Sequence, residues 1–289
     1  MNRIKTSKWP TALFAGLAVS LLSSTASAMD VKIWTVDCSD PEQTIANALS
    51  HAKADRVDEI HFTGLCEEDL DFNTSDVTIM GDDVTATIEG HVWIAGATNV
   101  ILDGFALIVD VGDTGVQASM GASVRITGVT IEGTGEETLG IHVMRGSVAR
   151  IEDALVEVDG DDATALLVKE GATARLNGGS TFTGDIAIEV VDASSLDQSG
   201  DIDTVVGPFD IAGSSYARLR EVNLTGDLSV SRLSGLRMTG TTAGNVDLSW
   251  GSFARLDGGN EITGGVSCSQ GSQVQDNANL YELLNCSPF

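Results

Sequence analysis

Ten times after residue 69 the chain writes an inward, outward, inward triplet, then a small residue, then a second alternating run that often carries Arg. The triplets begin at Leu70, Val92, Val116, Ile141, Leu166, Ile188, Phe209, Leu228, Val246 and Val266. Each is completed by an apolar residue two positions on: Phe72, Ile94, Ala118, Val143, Val168, Val190, Ile211, Val230, Leu248 and Cys268. A period of two marks strands, and a repeat of 18 to 25 residues is too long for a hexapeptide β-helix and too short for most helical pairs. Each repeat therefore predicts one rung of a parallel β-helix of about ten rungs.

The unit beginning at Ile141 predicts three strands: Ile141 to Val143, Val148 to Ile151 after a corner at Gly146, and Ala154 to Val158, closing at Asp159-Gly160. The corner is small in most rungs, at Ala97, Gly121, Gly146, Gly171, Ala193, Ser214, Gly251 and Gly271, with Leu233 the exception. Small residues suit a sharp change of chain direction. Upstream, a short strand near Lys32 to Val36 precedes Ser39-Asp40-Pro41-Glu42, read as an N-cap with Pro in the first turn of a helix whose apolar face is Ile45, Ala48, Leu49 and Ala52. A solenoid end exposes apolar rung and unpaired backbone, so an N-terminal capping helix is expected there.

Charge and cysteine narrow the setting. Residues 1–28 carry Arg3, Lys5 and Lys8, an apolar stretch from Ala12 to Leu22, and Ala26-Ser27-Ala28, the pattern of a secretory signal peptide cleaved after Ala28; an uncleaved anchor is the alternative. No other run approaches a membrane span. Removing those three basic residues leaves 13 Lys and Arg against 42 Asp and Glu, a net charge of −29 over 261 residues. Such a surface disfavours nucleic acid and anionic lipid. Cys38 and Cys66 sit at the start and Cys268 and Cys286 at the end. Of the three possible connectivities, only the local pairing suits a chain laid out rung by rung, whereas zinc lacks any paired-cysteine spacing. The segments read as a leader over 1–28, a strand and capping helix over 29–69, the β-helix over 70–272, and a C-terminal cap over 273–289.

Val36-Asp37-Cys38, the run Thr44-Ile45-Ala46-Asn47-Ala48-Leu49, Ile60-His61-Phe62-Thr63-Gly64-Leu65-Cys66-Glu67 and Val77-Thr78-Ile79-Met80-Gly81 together resemble the opening of secreted bacterial right-handed parallel β-helix proteins of the pectin-lyase-like superfamily. The resemblance covers nearly all of the chain after the leader. It implies an all-β, right-handed parallel β-helix, but not one activity, because that superfamily holds lyases, hydrolases, epimerases and adhesins.

The resemblance also implies that a groove on one parallel face is the place to look for chemistry. The outward ladder of the first strand reads Trp93, Gln117, His142, Leu167, Glu189, Asp210, Ser229, Asp247 and Ser267. Glu189 and Asp210 on adjacent rungs are the candidate catalytic carboxylates, with Lys169 beside them and Arg145 and Asp192 close by; two such groups can share a proton, hold Ca²⁺, or act as the acid and base of glycoside chemistry. The clustered Asn-x-Asp, Asp-Asp, Gly-His-Gly and Arg-x-Lys elements of polygalacturonases are missing, although Asp161-Asp162 is present.

Candidate ligand-binding residues are Trp93, His142, Arg150, Arg175 and Asp192, and Trp250 is a second indole that can stack on a sugar ring. The outward residue of the second strand forms a row, Arg125, Arg150, Arg175, Arg218, Arg237 and Arg255, interrupted by Asp197. Either flanking carboxylates (Glu132, Glu152, Glu157, Asp159, Asp257, Glu261) neutralise it or it tracks an acidic polymer. The expected function is an exported, non-catalytic protein that binds a polysaccharide or other cell-surface component, because aromatics are few and the loops between rungs are short; the alternative is a polysaccharide lyase or glycoside hydrolase. The longest rungs, between Val92 and Leu166, leave some room for groove walls.

Overall fold

The computed structural model describes residues 30–277, 283–284 and 286–288. The leader assigned to 1–28 and part of the C-terminal cap lie outside them. The chain winds into a parallel β-solenoid of about eleven turns with almost no helix. All twenty apolar positions of the ten triplets are buried, and their registers run unbroken, Leu70 on Val92, Val92 on Val116, and so on to Val246 on Val266. An eleventh first-face strand, Leu283–Leu284, pairs with Val266 and Ser267, one more than the triplet pattern predicts.

Three columns of strands follow from the repeat. The first face stacks Leu70–Phe72 through Val92–Ala95, Leu139–Val143 and Ile186–Val190 toward the C-terminus, and the second face runs from Val31–Asp37 to Ser287–Pro288. The third face begins at Leu65–Glu67 and includes Thr130–Thr134, Leu155–Asp159 and Thr204–Val206. Inward positions of all three merge into one core, with Phe62, Phe182 and Phe209 among its largest fully buried side chains.

The first corner is a ladder of left-handed residue pairs. Met120-Gly121, Arg145-Gly146, Glu170-Gly171, Asp192-Ala193, Arg232-Leu233, Trp250-Gly251 and Gln270-Gly271 all have positive φ. Each turn passes a hydrogen bond to the next, as in Gly121 N–H to the Arg145 carbonyl (3.1 Å) and Gly146 N–H to that of Glu170 (3.1 Å). Behind it runs a buried file of small residues, Ala122, Ser147, Ala172, Ser194, Ser215, Ser234, Ser252 and Ser272. Some of these hydroxyls accept from the backbone of the preceding rung, Ser147 Oγ from Ala122 N–H at 3.1 Å and Ser234 Oγ from Ser215 N–H at 3.2 Å. In a second buried polar file, Ser180, Asp203, Thr241 and Asn260, at the corner between second and third faces, the side-chain oxygens of Ser180, Asp203 and Asn260 accept in the same way from Ala154, Ser180 and Thr241 N–H.

The helix is Ile45–Ser50, and its cap differs from the expected one. Thr44 is the N-cap, accepting from Asn47 N–H at 3.0 Å, while Ser39 to Glu42 form turns in which Asp37 and Asp40 carboxylates accept from Ser39 and Glu42 N–H. Those short side chains satisfy the backbone before a helix can start, which moves its origin past Pro41. Glu68 completes the cap from the next segment, accepting from Ile45 and Ala46 N–H at 2.7 and 2.8 Å. The disulfides are Cys38–Cys66 and Cys268–Cys286, the local pairs the linear layout requires.

Candidate functional site

The first face brings its predicted side chains into one file. Register pairs Trp93 with Gln117, Gln117 with His142, His142 with Leu167, Leu167 with Glu189, and Glu189 with Asp210, each one strand spacing apart. The middle of this file is not solvated as its outward parity predicts: His142 is 6 % exposed and Leu167 8 %. Parallel strands at about 4.8 Å bury a side chain between its neighbours above and below when those are bulky. Met144, on the same face two residues from His142, is buried as well, and its sulfur receives the Gln117 amide at 3.7 Å.

Burial is the main reason His142 is held neutral, its pKa pushed down to about 4, and the nearby Lys169 and Arg145 cations act in the same direction. Its Nε2 is buried without a hydrogen-bond partner among the described residues. Glu189 and Asp210 are half-buried and shift the other way. Burial raises the Glu189 pKa first and the Asp210 charge adds to it, while Lys169 opposes; burial likewise raises Asp210, against a hydrogen bond from Ser229. Glu189, Asp210 and Lys169 therefore sit together, with Asp192 acting on the same carboxyl. Two carboxylates supply few of the six to eight oxygens Ca²⁺ takes. Among the described residues, the one trio of ligand-type atoms grouped within 4.8 Å is Cys38, Cys66 and Glu68, and its sulfurs are joined in the disulfide.

At the N-terminal end of the file a pocket of about 160 Å³ opens over Trp93, lined by His91, Asp113, Thr114 and Gln117. Trp93 is 40 % exposed, and its indole N–H donates to Ser119 Oγ at 3.2 Å, which fixes the ring. His91 Nδ1 lies 3.1 Å from Asp69 and 3.8 Å from Asp113. His91 and Asp113 precede the first-strand triplets of their rungs, and only the stacking of rungs shows that they frame the indole.

Arg150 and Arg175 are exposed on the second face, in register with each other and with Arg125, and have no ion pair among the described residues. The row is neutralised only in part. Arg125 pairs with Glu152 at 3.0 Å, and Asp257 bridges Arg237 at 2.8 Å and Arg255 at 3.0 Å. Glu132, Glu157 and Asp159 face elsewhere, because they belong to third-face strands, as does Glu261.

Glu132, Glu157 and Asp159 line a concavity of about 780 Å³ with Asp161, Asp185 and a floor that includes Gly184, Val206 and Gly207. Gly160, Asp161, Gly184, Asp185 and Gly207 in its lining belong to the connections between third and first faces, which are four residues long after Val109, Thr134 and Asp159 but two after Thr183 and Val206. The four-residue connections fall in the rungs between Val92 and Leu166, which are for that reason the longest. Gly160 is required there, since a Cβ would run into the Gly135 carbonyl.

Comparison of the chain with protein-family models, curated proteins and solved structures gives no match.

Proposed function

We propose that this is an exported glycan-binding protein without catalytic activity, which uses its first face to hold a polysaccharide and anchors it at Trp93. The observation carrying this reading is the Trp93 pocket: an indole fixed at one edge, half open to solvent, and ringed by a carboxylate, an amide, a hydroxyl and an imidazole. Sugar rings offer an apolar C–H face to an aromatic surface and hydroxyls to polar groups at its rim, the chemistry this pocket supplies. Two disulfide-bonded pairs and the absence, among the described residues, of a helix long and apolar enough to cross a membrane are consistent with a periplasmic or extracellular protein. The solenoid, together with the resemblance of the opening motifs from Val36 to Gly81, is what supports a reading as a pectin-lyase-like protein of bacteria.

Affinity electrophoresis in gels cast with neutral and uronate polysaccharides tests the binding. At least one polymer should retard the wild-type chain, and Trp93→Ala should abolish that retardation while keeping the parental melting temperature. Equal retardation of wild type and Trp93→Ala in every polymer would refute the anchor. The raised pKa values of Glu189 and Asp210 favour a second reading, a lyase or hydrolase with those carboxyls as acid and base and Lys169 as their neighbour. Against it, neither Glu189 nor Asp210 lines the concavity of about 780 Å³, which belongs to a different face.

A further inference from the structure

Four exposed apolar side chains crowd three rungs near the C-terminal end. Tyr216 and Phe253 lie in one outward column of the second face with Gly235 between them. The Phe253 ring folds over Gly235, filling the space a Cβ would take. Beside them at the first corner, Leu233 is 68 % exposed and Trp250 61 %, and they are joined by a hydrogen bond from Leu233 N–H to the Trp250 carbonyl at 3.1 Å. Trp250 thus projects from a left-handed corner (φ 55°) rather than lying on a flat sheet. The same rungs carry Arg218, Arg220 and Arg232, for which no carboxylate lies within ion-pair distance among the described residues. In a chain of net charge −26 this is an apolar ridge edged by unpaired cations.

We infer that the ridge docks into the third-face groove of a second copy of this chain. The groove is the ridge's complement in charge and in relief: Glu132, Glu157, Asp159, Asp161 and Asp185 are all exposed around a floor of glycines and the partly exposed Val206. Arg guanidinium forks match carboxylates bidentately, and the flat floor admits a projecting indole. A ridge-to-ridge dimer would instead oppose like arginines. The corner between first and second faces lies across the solenoid from the third face, so ridge and groove point away from each other on one molecule. The contact is heterologous, and each added copy leaves a free ridge at one end and a free groove at the other.

Sedimentation velocity over a concentration series tests this with two variants, Arg218→Glu/Arg232→Glu in the ridge and Glu157→Arg/Asp159→Arg in the groove, whose substitutions replace exposed or half-exposed side chains. The wild-type chain should associate as concentration rises and dissociate in about 1 M salt, where screening shortens to about 3 Å. Each variant alone should stay monomeric with the parental circular dichroism, and an equimolar mixture should form a 1:1 complex that grows no further, because the intact ridge of one meets the intact groove of the other. Trp250→Ala should weaken the wild-type association at least tenfold. A wild-type chain that remains monomeric throughout would overturn the inference, including the case in which it is retarded by alginate and the ridge serves a polyanion. So would a groove variant that still self-associates, since the ridge would then be pairing with itself.

Discussion

His142 and Asp203 are both buried titratable side chains, and they bend the pH dependence of stability in opposite directions. The folded His142 titrates at about 4 against 6.5 for the free side chain. Between those values the unfolded chain binds the extra proton, so its contribution is complete above pH 6.5 and falls by about 3 kcal/mol as pH drops toward 4. His142→Leu, which copies Leu167 one rung on, should hold its melting temperature from pH 7 to pH 5 better than the parent; an identical acid slope in both would contradict a buried neutral imidazole. Asp203 is fully buried, and desolvation raises its pKa despite the Ser180 N–H that its Oδ1 accepts at 2.9 Å. Its folded pKa lies above the unfolded one, so its proton stabilises the fold at low pH and that stabilisation is lost as pH rises through the folded value. Asn260 occupies the same file two members on and accepts from Thr241 N–H in the same way, while its amide donates to the Asp257 carbonyl. Asp203→Asn should therefore raise stability at pH 8 by about 1–3 kcal/mol and change little at pH 3. Thermal melts at the two pH values check this, and a loss at pH 8 would mean that the carboxylate is needed ionised.

At the scale of one rung, the periodicity told which residues point inward and where the chain turns. It could not tell that two consecutive residues at the first corner are left-handed, because only the second of them is usually Gly; Met120, Arg145, Glu170 and Trp250 give no such signal. The strain is shared by a ladder of identical turns, and Ala193 sits in it at φ 61° where most rungs have Gly. Ala193→Gly should stabilise the solenoid by about 1 kcal/mol, read as a higher denaturation midpoint. Val168 and Lys169 test the register itself, since one residue of slip exchanges the faces. Val168→Asp should bury an unpaired charge and lower stability by about 3 kcal/mol or more, while Lys169→Asp should fall within about 1 kcal/mol of the parent. Outward parity was a weaker guide than inward parity. It made His142 solvent-facing, and it set Glu132, Glu157 and Asp159 beside the arginine row, because alternation within a strand does not say which face of a three-sided rod the strand occupies or how tightly its neighbours stack.

For the whole molecule, the linear layout of the cysteines was legible and the relief of the surface was not. Each disulfide closes a terminal loop, 28 and 18 residues apart in sequence, and should contribute about 3 kcal/mol in the chain-entropy picture. Non-reducing peptide mass spectrometry should find Cys38 linked to Cys66 and Cys268 to Cys286, whereas a bond from Cys38 to Cys286 would be incompatible with a rod whose ends are eleven turns apart. The groove, the ridge and the Trp93 pocket each combine side chains about 20 residues apart, a distance the sequence hides and stacking removes. The chemistry of the first face hangs on one distinction, binding against cleavage. The purified protein should be incubated with the polysaccharide that retards it best, with and without Ca²⁺, while reducing ends and the absorbance of unsaturated products are followed. A binding face predicts no product at any time; product that accumulates with the wild type and disappears in both Glu189→Gln and Asp210→Asn would make the carboxylate pair an active site.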